Sequence, residues 1–303
     1  MRPVLESLAN FGIIPVVKIE NARHAGALAE ALIKANLPCV EITFRTNAAE
    51  ESIRTVSRDF PEMLVGAGTV LTVEQARRAH RAGTKFIVSP GLSEDVVAFC
   101  RRQKVPVIPG VTTATEIQSA LKLGLSVLKF FPAEASGGLK TLKTLAAVFG
   151  NVKFIPTGGV NRENMMAYLQ SDFVAAIGGS WMVKSDLIYA GKFDEITRLA
   201  QDAIQKMLGF RLKKMVFCDE QTGEGSAASQ FQKVNKNPFF EMFEINRSCR
   251  NDQIVIGTNF LQRADFFLKR LGIETAFETS RIEIKNILPE RMVVIEKNGD
   301  VSS

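Results

Sequence analysis

Along the first two hundred residues, short apolar runs alternate with longer amphipathic stretches. The runs are I-I-P-V-V-K (13–18), C-V-E-I-T-F (39–44), M-L-V-G-A-G-T (63–69), K-F-I-V-S-P (85–90), V-P-V-I-P-G (105–110), V-L-K-F-F-P (127–132), V-K-F-I-P-T-G-G (152–159) and F-V-A-A-I-G-G-S (173–180). Each is short and rich in Val, Ile or Phe, the pattern of a strand buried on both faces. The stretches between them carry helix punctuation. Thr72 with Gln75, and Thr113 with Glu116, have the spacing of capping boxes, in which a hydroxyl and a side chain three residues on satisfy orphan backbone N–H groups. Gly83 and Gly124 stand where a left-handed residue closes a helix before the next strand. Segments such as R-A-H-R-A-G-T-K-F-I-V and S-A-L-K-L-G-L-S-V-L-K repeat one another, so one supersecondary unit recurs.

Eight strand–helix units in about 200 residues predict a (β/α)8 TIM barrel over residues 1–206, at the small end of that fold's range. A doubly wound open sheet is the competitor, but P-V-V-K-I-E after the first strand lacks the Gly-rich dinucleotide turn. Residues 207–303 change character. R-L-K-K-M-V-F-C (211–218), F-F-E-M-F-E-I (239–245) and Q-I-V-I-G-T (253–258) predict strands. Over 260–272 a helix would bury Leu261, Ala264, Phe267, Leu268 and Leu271, and R-I-E-I-K-N-I and M-V-V-I-E-K would close the unit. A small α+β C-terminal module is expected there.

Composition narrows the partners. Of 303 residues, 46% are hydrophobic and 23% charged, an ordinary soluble globular balance. The formal charge of +6 is a weak hint of anionic ligands. No basic stripe with aromatic platforms occurs, so no nucleic-acid partner is expected. Nor does any run approach the roughly 20 apolar residues that span a bilayer, so no membrane partner is expected. The first ten residues include Glu6 and no long apolar core, which speaks against a secretory signal. Cys39, Cys100, Cys218 and Cys249 form no C-x-x-C pair and read as reduced thiols of a cytoplasmic protein. Only His24 and His80 are present, so neither histidine-held zinc nor a histidine triad is expected; no metal and no cofactor is implied.

Chemistry enters through V-L-K-F-F-P. A lysine is rarely fully buried without a partner or a task, and Lys129 lies between Leu128 and Phe130. An amine that burial keeps neutral attacks a carbonyl to form a Schiff base. The structural alternative is a strand-end lysine that snorkels to water or pairs with a carboxylate. Barrel chemistry gathers at the carboxyl ends of the strands, and several polar residues fall there. Alternation along C-V-E-I-T-F-R puts Glu41, Thr43 and Arg45 on one face, either in the barrel mouth or as a structural Glu41–Arg45 ion pair. Thr69 ends the third run among small residues, and Pro90 and Pro109 close the fourth and fifth. The last two runs end in Thr157-Gly158-Gly159 and Gly178-Gly179-Ser180, where barrels commonly hold a phosphate against backbone N–H groups.

These parts suit carbon–carbon cleavage through an imine: Lys129 as nucleophile, Glu41 as base, Arg45 and Thr69 on a 2-keto acid carboxylate, and a phosphate on Gly158, Gly159, Gly179 and Ser180. An isomerase or epimerase of phosphosugars on the same barrel would share the glycines without needing the lysine. A non-catalytic scaffold would leave the work to the tail.

The motifs V-E-I-T-F-R-T (40–46), G-A-G-T-V (66–70), F-I-V-S-P-G (86–91), L-K-F-F-P-A-E (128–134), P-T-G-G-V (156–160) and I-G-G-S-W (177–181) closely resemble those of the bacterial 2-keto-3-deoxy-6-phosphogluconate (KDPG) and 4-hydroxy-2-oxoglutarate (KHG) aldolases. The resemblance covers residues 10–205 and implies a class I aldolase that is a homotrimer and releases pyruvate, with glyceraldehyde 3-phosphate or glyoxylate as the second product. It makes Lys129 the Schiff-base lysine and Glu41 the acid/base. Arg45, Thr69 and Pro90 then fall at pyruvyl-binding positions, and Thr157, Gly158, Gly159, Gly179 and Ser180 around the phosphate. Thr157 is similar to the phosphogluconate-type enzymes, since the phosphogalactonate relatives tend to carry an aliphatic residue there. The tail resembles a vicinal-oxygen-chelate (glyoxalase-like) module, but no histidine follows His80 to serve as a metal ligand. It is therefore expected to pack or oligomerise rather than to catalyse.

Overall fold

The computed structural model describes residues 2–216, 253–284 and 292–297. The chain divides into two compact units, Met1–Ile204 and Gln205–Ser303.

All eight apolar runs of the first unit carry strands. These are β1 (Ile13–Val17), β2 (Cys39–Thr43), β3 (Leu64–Gly68), β4 (Phe86–Val88), β5 (Val107–Ile108), β6 (Gly110–Val111), β7 (Val127–Phe130), β8 (Lys153–Pro156) and β9 (Ile177–Gly179). The fifth run is divided in two at Pro109, which has no N–H to give a ladder. Its carbonyl still accepts from the Lys129 N–H at 2.9 Å.

Every pairing in the unit is parallel. Six strands form a curled sheet in the order β5-β4-β3-β2-β1-β9, and three more run β6-β7-β8. Bridges Phe154↔Val174 and Thr157↔Gly178 tie the β8 segment to the β9 segment. The result is an α/β fold with a curled parallel sheet. Its strands are buried on both faces: successive residues Val40, Glu41, Ile42 and Thr43 are all shielded from solvent, as expected where helices cover one side and a core fills the other.

The intervening helices are amphipathic. In the helix Ala25–Lys34, Ala25, Leu28, Ala29, Ala31 and Leu32 are buried, the spacing of one helical stripe. Capping follows the sequence with one exception. Thr113 and Glu116 form a full box at the start of the helix Ala114–Lys122. At the start of the helix Val73–Arg81, Thr72 accepts from the Gln75 N–H, but the Gln75 side chain reaches one residue further back, to the Leu71 N–H at 2.7 Å. Gly83 and Gly124 have φ of +99° and +70°, the left-handed closures their positions called for.

The second unit is α+β. Its strands β10 (Arg211–Val216), β11 (Gln253–Thr258), β12 (Thr275–Phe277), β13 (Arg281–Ile284) and β14 (Met292–Lys297) form one sheet in the order β10-β11-β14-β13-β12. Among the described residues, β11 and β14 pair in parallel and the other pairings are antiparallel. The helix Leu261–Arg270 buries Ala264, Phe267 and Leu268, while Leu261 and Leu271 remain half-buried. The strand expected over 239–245 lies outside the described residues.

Candidate active site

The carboxyl ends of parallel strands converge on one rim, so side chains at those ends can meet even when their strands do not pair. Glu41 stands in the middle of β2, in register with Val16 and Gly66. Lys129 stands in β7, in register with Gly110 and Ile155. The two strands lie in different sheets, yet Lys129 Nζ is 3.4 Å from Glu41 Oε1. Both residues are almost wholly removed from solvent, at 5% and 3% exposed. At that depth neither charge is tolerated without the other, so the pair is mutually required.

Two neighbours shape this pair. Gly68 ends β3, and a Cβ built there would fall 2.1 Å from Glu41 Oε1; only a glycine leaves the carboxylate its place. The Phe131 ring centroid lies 5.0 Å from Lys129 Nζ, a cation–π distance. Sequence reasoning had singled out neither residue. Phe131 was visible as the second aromatic of the lysine run. Gly68 gave no signal beyond its place in G-A-G-T.

Arg45 departs from the alternation argument. The strand stops at Thr43, whose hydroxyl donates to the Val17 carbonyl at 2.9 Å. Arg45 falls two residues later in a turn and is exposed, so strand periodicity does not fix its direction. The ion pair of Glu41 is made with Lys129 and not with Arg45.

The remaining candidates follow their strands directly. Thr69 comes straight after β3 with φ +54°, a left-handed conformation that a β-branched residue seldom takes. Pro90 is half-buried two residues past β4, and a Cβ at Gly110 would lie 2.0 Å from its carbonyl oxygen. That close approach joins the end of β4 to the fifth run. Thr157 is buried after β8; a Cβ at Gly178 would lie 2.3 Å from its Oγ1, so Gly178 makes room for it. Gly158 and Gly159 follow with φ of +94° and +84°. Through the Thr157↔Gly178 bridge they neighbour Gly179, which is buried against the Trp181 ring, and the exposed Ser180.

Among the described residues the free thiols, Cys39 and Cys100, are both buried. Burial, followed by the Glu41 charge, raises the Cys39 thiol well above its ordinary range. Burial also pushes Cys100 up to about 12. Both thiols are held protonated and unreactive. Among the described residues there is no group of three or more His, Cys, Asp or Glu side chains placed to hold a metal ion, and no helix long and apolar enough to cross a membrane.

A buried amine facing a carboxylate across the strands of a curled parallel sheet defines a class of α/β enzymes able to act on a carbonyl through the amine. Comparisons with known proteins resolve that class. The profile of the family described as KDPG and KHG aldolase matches residues 4–199. The 2-dehydro-3-deoxy-phosphogluconate aldolase of Treponema pallidum (strain Nichols) is 46% identical over 205 residues, 68% of this chain and 98% of that protein. The Escherichia coli (strain K12) KHG/KDPG aldolase is 40% identical over 201 residues, 66% of this chain and 94% of the relative. A crystal structure of the Legionella pneumophila KDPG aldolase holds pyruvate as a covalent carbinolamine intermediate captured at low pH. It matches with a TM-score of 0.64 at 36% identity, covering 66% of this chain and 97% of its own. The chain belongs to the KDPG and KHG aldolase family and is an aldehyde-lyase by that membership.

Proposed function

We propose that the chain is a class I aldolase that cleaves 2-dehydro-3-deoxy-6-phosphogluconate to pyruvate and glyceraldehyde 3-phosphate, and 4-hydroxy-2-oxoglutarate to pyruvate and glyoxylate. The observation that carries the reading is the buried Lys129–Glu41 pair, 3.4 Å apart. The carbinolamine in the Legionella pneumophila relative supports it.

In the proposed sequence Lys129 is the nucleophile and Glu41 the acid/base. Glu41 takes a proton from the Lys129 ammonium, and the freed amine attacks C2 of the keto acid: a C–N bond forms, the C=O π bond opens, and a proton passes from nitrogen to that oxygen to give the carbinolamine. Glu41 passes a proton to the carbinolamine hydroxyl, which leaves as water and gives the iminium. Glu41 then removes the proton from the C4 hydroxyl. The C3–C4 bond breaks, its electron pair moves into the iminium, and the aldehyde leaves an enamine. Protonation at C3 and hydrolysis release pyruvate and the free amine. A proton passes to and from one carboxylate throughout, which requires Glu41 to stay within reach of Lys129.

Arg45, Thr69 and Pro90 bind the pyruvyl part, and Thr157 contacts the substrate beside the phosphate. Gly158, Gly159, Gly179 and Ser180 bind the phosphate. The Thr157↔Gly178 bridge supports this grouping, because it brings both glycine pairs to neighbouring segments. Residues 1–206 form the catalytic domain, read as a closed (β/α)8 barrel. The strand orders support closure: β5 and β6 continue one run, and β8 is bridged to β9. Residues 207–303 form an added module without a catalytic role. Its β-α-β-β-β run from β11 to β14 supports the glyoxalase-like reading. We take the protein to be a cytoplasmic homotrimer.

Borohydride with pyruvate tests the central claim. A stable pyruvyl adduct on Lys129, located by peptide mass spectrometry, is expected. An unmodified Lys129 under conditions that trap a known relative would sink the reading.

A further inference from the structure

After β7 the chain continues through Phe131, Pro132 and Ala133 to Glu134, and there it meets the Gly158–Gly159 turn. The Ala133 N–H donates to the Thr157 carbonyl at 2.8 Å and the Glu134 N–H to the Gly158 carbonyl at 3.0 Å. The Glu134 side chain then lies across the turn. A Cβ at Gly159 would fall 2.6 Å from both Glu134 Cβ and Cγ. The hydroxyl of Tyr168 donates to Glu134 Oε1. Tyr168 is 1% exposed and sits in the short helix Met165–Leu169. Gly138 leaves room for the contact: its Cβ would lie 3.2 Å from Glu134 Oε1 and 3.3 Å from the Tyr168 hydroxyl. The Gly159 carbonyl also accepts from Asn164 Nδ2 at 3.1 Å.

Burial, then the bond to Glu134, raises the Tyr168 phenol above its ordinary value. It stays a proton donor throughout the working range. The role of Glu134 is less obvious. Its residue is exposed, and a carboxylate beside an anion-binding turn would repel the anion if it were free to swing. Tied to Tyr168, it is held flat against Gly159 and fixes the turn instead.

We infer that Tyr168 and Glu134 form a positioning clamp on the Gly158–Gly159 turn, and that this clamp sets the enzyme's preference for a phosphorylated over an unphosphorylated keto acid; the inference rests on the aldolase reading given above. Neither residue touches the reacting atoms. Both act through the backbone of the turn, so the chemistry at Lys129 is left alone when the clamp is broken.

The test compares two substrates on the full chain. In Tyr168→Phe, KM for 2-dehydro-3-deoxy-6-phosphogluconate is expected to rise about tenfold, the size of one lost charge-assisted hydrogen bond, with kcat within about twofold. KM for 4-hydroxy-2-oxoglutarate, which has no phosphate, stays at the parental value. Glu134→Ala reproduces the split, and it decides the matter if Tyr168→Phe fails to fold. Glu134→Gln, whose amide oxygen can still accept from Tyr168, restores the parental KM. Equal losses on the two substrates, or a parental KM for the phosphorylated one in both Tyr168→Phe and Glu134→Ala, overturn the clamp. Trapping of pyruvate on Lys129 with borohydride, run on the same preparations, separates the two failures. An adduct alongside an absent split removes the clamp alone, and no adduct removes the aldolase reading with it.

Discussion

The two ends of the candidate site are built by different means. At the amine end, two side chains from strands that do not pair, Glu41 of β2 and Lys129 of β7, meet deep inside the unit. At the glycine end, Gly158 and Gly159 contribute backbone alone, and what positions them comes from other segments: Glu134, Tyr168 and Asn164. The difference has consequences for any substitution. Buried charges in low dielectric fail abruptly when a partner is lost. A hydrogen-bonded turn near solvent gives way by about one bond's worth at a time.

The largest effect is expected at Lys129. Lys129→Met should remove turnover by several orders of magnitude, because it removes the amine that forms the imine. It should also leave Glu41 buried without its partner, lowering stability by about 3–5 kcal/mol. The double variant Lys129→Met with Glu41→Leu should recover most of that stability while remaining inactive, since an apolar pair does not need charge compensation. Denaturant melts and initial rates on the three proteins check both parts. A stable single variant would mean that the pair is not mutually required.

Gly68→Ala comes next. The added methyl meets the Glu41 carboxylate 2.1 Å away, so either the carboxylate or β3 must shift. Overpacking of this kind costs about 1–3 kcal/mol. Loss of a well-placed acid/base lowers kcat by about 10²–10⁴. We expect kcat to fall for both substrates alike and imine trapping to slow. A fall confined to the phosphorylated substrate would show that the two ends are not separate.

How far this site was legible in the sequence follows the same division. Lys129 and Glu41 stood out as charges in apolar runs, and those runs carry strands. Their contact did not show, because 88 residues separate them and only the parallel arrangement brings them together. Arg45 was placed by extending strand alternation past Thr43, where the strand stops. The left-handed Thr69 was invisible, since β-branched residues are avoided there and nothing in G-A-G-T signals the exception. The glycine pairs were legible as backbone needing close approach. Tyr168 was not, because one tyrosine in an apolar helical stretch looks like any core residue. Side chains that do the chemistry announce themselves by being out of place; those that hold a turn do not.

Ser180→Asp probes the glycine end with charge rather than geometry. Ser180 is exposed beyond β9, next to Gly179, and a carboxylate there should repel the phosphate group. KM for the phosphorylated substrate should rise about tenfold, as one unfavourable charge contact near a surface would produce. The unphosphorylated substrate should lose little. Repeating the measurement at high salt should shrink the difference, since screening weakens exposed charge interactions. Equal losses would argue against a phosphate at this end.

The smallest effect serves as the control for both ends. Glu50, in the helix Ala49–Asp59, accepts hydrogen bonds from Arg78 at 2.6 Å and Arg54 at 2.7 Å. Those bonds hold its carboxyl below the ordinary glutamate range. A carboxyl depressed by folding contributes stability above its unfolded pKa, and that contribution is lost as the pH falls through the folded value. Glu50→Gln should therefore cost about 0.3–1 kcal/mol at neutral pH, the range for partly exposed ion pairs, and nothing at strongly acidic pH, where the parental group is protonated as well. The difference between the two melting temperatures should close on acidification, while the pH profiles of kcat and of both KM values should superimpose. If Glu50→Gln moved either profile, the acid limb of activity would belong to the outer helices, and pH could no longer be used to separate the amine end from the glycine end.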